Sequence, residues 1–202
     1  MPGRGACSKQ EERNLVVSQT TASHVIEDQA LAERAGAGDH AAFSVLFQRH
    51  KSGIYRFCLL MLGDQAQAED IYQEVFINFY RACRTGQKMY NVRGYLMTAA
   101  RTRCINALRS SKRLADLDDV PEPSYEPDPT SYDTGHHLRE ALQKIPPQYR
   151  ETFLLFELEG YSYDEISKHL DISLGVVKNR IYRAKQALQK ILRPILGEDR
   201  NG

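Results

Sequence analysis

Two stretches of this chain carry the side chains needed to hold a polyanion. From Val92 to Arg113 every charged residue is basic: Arg93, Arg101, Arg103, Arg109, Lys112 and Arg113. From Leu174 to Arg193 the same holds for Lys178, Arg180, Arg183, Lys185, Lys190 and Arg193. Grouped guanidinium and ammonium charges attract phosphate through Coulomb steering and counterion release. Acids occupy the intervening chain. Asp116, Asp118, Asp119, Glu122, Glu126, Asp128 and Asp133 run without a base, and Asp64, Glu69, Asp70 and Glu74 form a second acidic stretch. A net charge of +1 over 202 residues conceals this sorting.

Other chemistries lack their residues. The histidines, His24, His40, His50, His136, His137 and His169, show no H-E-x-x-H spacing, and no phosphate-cradling glycine loop is present. Cys7, Cys58, Cys83 and Cys104 form no C-x-x-C pair, so neither a zinc ribbon nor a zinc knuckle fits. The reading is a protein without enzymatic activity, metal site or cofactor, its thiols reduced and mostly buried. An apolar run such as Cys58 to Leu62 is far too short to span a bilayer, and a cytoplasmic protein is expected.

The elements that must position these charges are all helical, since no strand-like alternation appears. Residues 1–27 are small and polar and read as a disordered tail. A helical domain follows over 28–113. Residues 114–135 contain Pro121, Pro123, Pro127 and Pro129 among acids and read as a flexible linker. A second helical domain spans 136–196, and 197–202 form a C-terminal tail. The fold class is therefore all-α, two small helical domains joined by an acidic linker. Gly53 is a possible interruption of the helix before Gly63. Asp64 and Ser162 read as N-caps, with Gln67 and Glu165 placed for capping boxes, and Pro146-Pro147 marks another helix start.

Three helices have informative faces. Over 66–82, Ile71, Tyr72, Val75, Phe76 and Phe79 form a buried stripe, while Asp70, Gln73, Glu74 and Ile77 share the opposite side. An isoleucine ringed by polar groups fits a partner site. Over 94–112, Leu96, Met97, Ala100, Cys104, Ala107 and Leu108 face inward. Tyr95, Thr98, Thr102, Arg103, Asn106 and Arg109 face outward, a set suited to stacking on unpaired bases and holding phosphates. Residues 163–170, a turn at 171–173 and a basic helix from Leu174 to Leu192 make a helix-turn-helix. Val177, Ile181, Ala184, Leu188 and Leu192 are its inner stripe. Asn179, Tyr182, Arg183, Gln186 and Lys190 point outward, where such side chains read base edges in the major groove.

Several stretches resemble the sigma-70 family. Ala68-Glu69-Asp70-Ile71-Tyr72-Gln73-Glu74-Val75-Phe76 is similar to its polymerase-binding helix. Ile145 to Glu151, followed by Glu159 to Ile166, resembles the start of its C-terminal domain. Gly175 to Lys185 resembles its recognition helix. With two domains and a short linker, the chain resembles the extracytoplasmic-function group over roughly residues 28–196.

The resemblance implies a sigma factor that binds core RNA polymerase and directs it to promoters, controlled by an anti-sigma factor. By that analogy Asp70, Gln73, Glu74 and Ile77 dock on the clamp of the largest polymerase subunit. Tyr95, Thr98, Thr102, Arg103, Asn106 and Arg109 melt and read the −10 element. Lys178, Asn179, Arg180, Tyr182 and Arg183 read the −35 element as duplex. The family usually has Trp at the position of Tyr95, Asn at Thr102 and Asp at Asn106, so this face departs from the family's usual residues, and the resemblance does not carry the family's −10 preference over to it. A stand-alone helix-turn-helix repressor or activator is the alternative; it accounts for the last helix but not for the acidic Ile77 face.

Overall fold

The computed structural model describes residues 25–115 and 134–197, and every regular element among them is an α-helix. These are α1 (25–36), α2 (His40–Leu62), α3 (Gln65–Arg84), α4 (Val92–Ala115), α5 (Thr134–Gln143), α6 (Pro147–Glu157), α7 (Tyr163–Leu170) and α8 (Leu174–Gly197). The expected acidic linker lies outside the described residues, apart from its two ends, which continue α4 and begin α5. The expected N-terminal tail also lies outside them up to residue 24; the helix begins at 25 rather than 28.

Helices α2, α3 and α4 pack mutually and form the N-terminal lobe. Their contact is built from the predicted stripe: Val75, Phe76 and Phe79 of α3 and Leu96, Met97, Ala100 and Cys104 of α4 are buried against Leu46, Phe57 and Met61 of α2. Aromatic edges lock it further, with Phe47 and Phe76 in T-shaped contact at 4.9 Å. Short α1 is tied down by charge. Asp28 is buried and receives Arg49 and, at 2.7 Å, His50 of α2. Burial raises the Asp28 pKa, but His50 and Arg49 together outweigh it and hold the carboxyl below its usual range.

The turn between α2 and α3 is fixed by chemistry visible in the sequence. Gly63 ends α2 in the left-handed region (φ 76°), its N–H donating to Leu59 O at 2.8 Å. Asp64 then accepts from the Gln67 N–H at 2.7 Å and starts α3. Any side chain at Gly63 meets a second obstacle: a Cβ there lies 2.7 Å from the Gln143 side chain of α5. Gly53, by contrast, does not interrupt α2, which runs unbroken through it.

Helices α5 to α8 form the C-terminal lobe around Leu142, Leu154, Leu155, Ile166, Val177, Ile181, Ala184 and Leu188. The two lobes do not stand apart. Arg150 is buried on α6 and donates to the Met61 carbonyl at the end of α2, and to the carbonyls of Gln143 and Ile145. Gln143 donates to Leu60 O at 3.0 Å. One side chain thus satisfies carbonyls that two helix ends leave open. Burial lowers the Arg150 pKa to about 10, which leaves it charged at neutral pH.

Candidate nucleic-acid and partner interfaces

The face predicted on α3 exists as drawn. Asp70, Gln73, Glu74 and Ile77 are all exposed, and Ile77 keeps 50% of its surface in solvent. The helix amphipathicity explains this: Val75, Phe76 and Phe79 consume the inner face, so the next positions around the wheel must point out. Glu74 is also held, since Arg103 of α4 donates to it at 3.1 Å. The predicted partner face and the predicted DNA face therefore touch along one edge.

On α4, Thr98, Thr102, Asn106 and Arg109 are exposed, and Tyr95 and Arg103 are half-buried. The ring of Tyr95 meets Phe79 in a tilted contact with centroids 5.8 Å apart, and the residue is only half-buried. Thr98 and Thr102 turn their hydroxyls back onto the carbonyls of Gly94 and Thr98, both at 2.8 Å. Each hydroxyl retains lone pairs to accept a bond from a base. Helix α4 starts when Asn91 accepts from the Gly94 N–H at 2.8 Å. One residue earlier stands Tyr90, 67% exposed, which the sequence reasoning passed over. The available signal was an aromatic in a loop flanked by Gly86 and Gly94.

The helix-turn-helix is built from reciprocal caps. Ser162 accepts from the Glu165 N–H at 3.2 Å while Glu165 accepts from the Ser162 N–H at 2.8 Å, a complete capping box. Asp171 ends α7 in the left-handed region at φ 53°, a conformation that aspartate tolerates better than branched residues. Ser167 donates to Ile172 O at 2.6 Å and tightens the turn. Ser173 then accepts from the Val176 N–H at 3.4 Å, and α8 begins.

Of the predicted −35 residues, Lys178, Asn179, Tyr182 and Arg183 are exposed on α8, Tyr182 by 64%. Arg183 makes no ion pair among the described residues. Two lysines are oriented by aromatics. Phe156 and Tyr163 stack at 4.8 Å; Lys178 lies 6.0 Å from the Tyr163 centroid and Lys185 5.4 Å from that of Phe156. Lys185 is also paired with Glu157 at 2.6 Å. Arg180 is different: it is half-buried, and its charge acts on the buried Glu151 of α6.

Cys58, Cys83 and Cys104 are buried free thiols, in line with expectation, while Cys7 lies outside the described residues. Among the described residues no group of three or more His, Cys, Asp or Glu side chains could hold a metal ion. No described helix is long and apolar enough to cross a membrane.

Comparison with known proteins agrees with this geometry. The Sigma-70 region 2 family matches residues 46–114, and the Sigma-70, region 4 family matches residues 136–188. The chain is 32% identical over 164 residues to the RNA polymerase sigma factor CarQ of Myxococcus xanthus, covering 79% of this chain and 94% of CarQ. It is also 32% identical to the ECF RNA polymerase sigma factor SigE of Mycolicibacterium smegmatis, over 77% of this chain and 64% of that protein's length. Its fold is similar to the sigma factor RpoE of Bartonella quintana, solved with the anti-sigma factor NepR (TM-score 0.62, 22% identity, 75% of this chain and 96% of that one). It is likewise similar to CnrH in complex with the cytosolic domain of CnrY (TM-score 0.61, 21% identity, 83% and 98%).

Proposed function

The chain belongs to the sigma-70 family of RNA polymerase sigma factors, in its extracytoplasmic-function group, and from that membership we propose how its surfaces divide the work of initiation. As a sigma factor it directs core RNA polymerase to promoters. Phosphoryl transfer belongs to the polymerase, and this chain contributes recognition in the cytoplasm.

In the proposed division, residues 28–113 hold the polymerase and the −10 element, and residues 136–196 hold the −35 element. Asp70, Gln73, Glu74 and Ile77 of α3 meet the clamp of the largest subunit. The observation that carries this is the exposed isoleucine among three exposed polar side chains, an arrangement a solvated face does not need. Tyr95, Thr98, Thr102, Arg103, Asn106 and Arg109 receive the unpaired −10 strand, with rings for bases and guanidiniums for phosphates. Lys178, Asn179, Tyr182 and Arg183 read the −35 duplex from the major groove, and Arg180 joins them once released from the neighbourhood of Glu151. An anti-sigma factor covering the Asp70 and Lys178 surfaces keeps the chain silent; support for a partner of this kind comes from RpoE of similar fold, solved with the anti-sigma factor NepR.

Permanganate footprinting of promoter DNA with core polymerase tests the assignment. Thymines of the −10 element become reactive when the chain is added, and Asn106→Ala or Tyr95→Ala reduces that reactivity while −35 protection persists. Loss of −35 protection with intact melting in those variants would reverse the two assignments.

A further inference from the structure

Helix α8 opens with two residues to which the proposed division gives no task. Gly175 and Val176 follow the Ser173 cap and both are exposed, Val176 by 40%. Each is a poorer helix former than alanine. Among the described residues nothing requires the glycine. Its φ is not in the left-handed region, and a Cβ added there would meet only Ser173 Oγ, at 4.0 Å. The space it keeps open lies outside the protein, where another body can approach the helix backbone closely.

Val176 borders the same space. Its N–H donates to Ser173 Oγ at 3.4 Å, which fixes the first turn. Val177, Ile181, Ala184 and Leu188 are buried on the inner side of α8. At 3.6 residues per turn, Val176 stands on the outer side, about 20° around the helix from Arg183 and about 60° from Asn179. A β-branched side chain in a helix keeps almost entirely to one χ1 rotamer, so its methyls form a fixed apolar surface. The exposed Lys178, Arg183 and Lys190 nearby draw a polyanion to this side of the helix rather than an apolar protein.

Duplex DNA offers one apolar group in its major groove, the C5-methyl of thymine. Valine has no donor or acceptor with which to read the polar pattern of a base edge, but it gains by covering that methyl. The first residues of a recognition helix are also those that reach the base edges.

We propose that Val176 is a specificity-determining residue that covers the C5-methyl of a thymine in the −35 element, with Gly175 letting the helix end come close enough for the contact. The identity of the duplex rests on the sigma-factor reading; the contact itself rests on the geometry of α8. Arg183 stands ~10.5 Å farther along the helix, about three base-pair steps of 3.4 Å. The thymine therefore lies within about three base pairs of the base that Arg183 reads.

The test removes the methyl and nothing else. Holoenzyme made from the full chain and core polymerase selects its −35 element from a random library. Each thymine of that element is then replaced by deoxyuridine, which keeps every base-pairing atom. One replacement should weaken competitive binding about fourfold, the worth of one buried methyl-sized group. Val176→Ala should weaken binding to the thymine duplex by a similar factor and make it indifferent to the replacement. Alanine is the better helix former, so the variant keeps α8. Tyr182→Ala, which removes an exposed ring from the same helix, should leave the sensitivity in place. A selected element without thymine, no thymine sensitive to loss of its methyl, or a sensitivity that survives Val176→Ala overturns the proposal. If the chain directs no start site, the sigma-factor reading fails instead, and the same replacements in the duplex selected by the chain alone decide the contact. Selection of no duplex at all overturns both.

Discussion

Helices α4 and α8 are each 24 residues long and carry acid-free basic runs, yet they use their charge differently. On α4, Arg93, Arg101 and Arg103 are each held by a glutamate of another helix or loop. On α8, Arg183 is exposed and free of ion pairs among the described residues, and Lys178 is merely oriented by a ring. The lesson is that counting basic residues measures potential, while neighbouring carboxylates decide how much of it is free. Under the proposed division, the helix assigned to the duplex keeps Lys178 and Arg183 ready, and the helix assigned to the melted strand keeps its arginines engaged until the partner arrives.

The comparison breaks first where the lobes join. Arg150→Ala leaves the carbonyls of Met61, Gln143 and Ile145 without their donor and should cost about 3–5 kcal/mol in chemical denaturation. A loss under ~1 kcal/mol would mean water replaces Arg150 there. Next comes the partner face beside α4. Asp70→Lys should weaken co-elution with core polymerase more than about 100-fold, since like-charge juxtaposition costs several kcal/mol, with helix content unchanged. On α8, Arg183→Ala should reduce −35 discrimination by about 1–3 kcal/mol in competitive binding. Equal weakening on every sequence would make Arg183 a phosphate contact instead. Ser162→Ala removes the capping box that orients α7 against α8, at about 1 kcal/mol of stability.

The smallest effect is on pH. Burial, then the charge of Arg101, holds the His169 pKa below 6.5. The folded chain therefore favours neutral His169, and its contribution is present above pH 6.5 and declines as pH falls below that value. His169→Gln should flatten that part of the stability profile in urea titrations at successive pH values. Glu151 acts oppositely: burial raises its carboxyl above the usual 4.5 despite Arg101, so its ionisation weakens the fold as pH rises from that value. A slope unchanged by His169→Gln would show that the imidazole is solvated.

Much of this is legible in the residues alone. The α3 stripe, the Asp64 cap and the Ser162–Glu165 box follow from local periodicity and capping chemistry, and each was found where the residues placed it. Only the reciprocal bond from Gln67 at the first of these sites is not among the hydrogen bonds formed. Gly53 misled because its reason is tertiary: it lies under Glu159 rather than breaking α2. The contact between the lobes was illegible for a similar reason. Its ion pairs join residues 50 and 66 positions apart, and nothing local distinguishes Arg93 or Arg101 from arginines that face solvent. Arg150 stood inside a recognisable stretch, but its burial depends on where α2 ends in space.

Transcription in vitro from a randomised promoter library, with core polymerase from the same host and with or without this chain, tests the central claim most directly. The account predicts start sites that appear only when the chain is added, with enriched sequences at both −10 and −35. Duplex binding without any new start site would contradict it and leave a stand-alone helix-turn-helix regulator in its place.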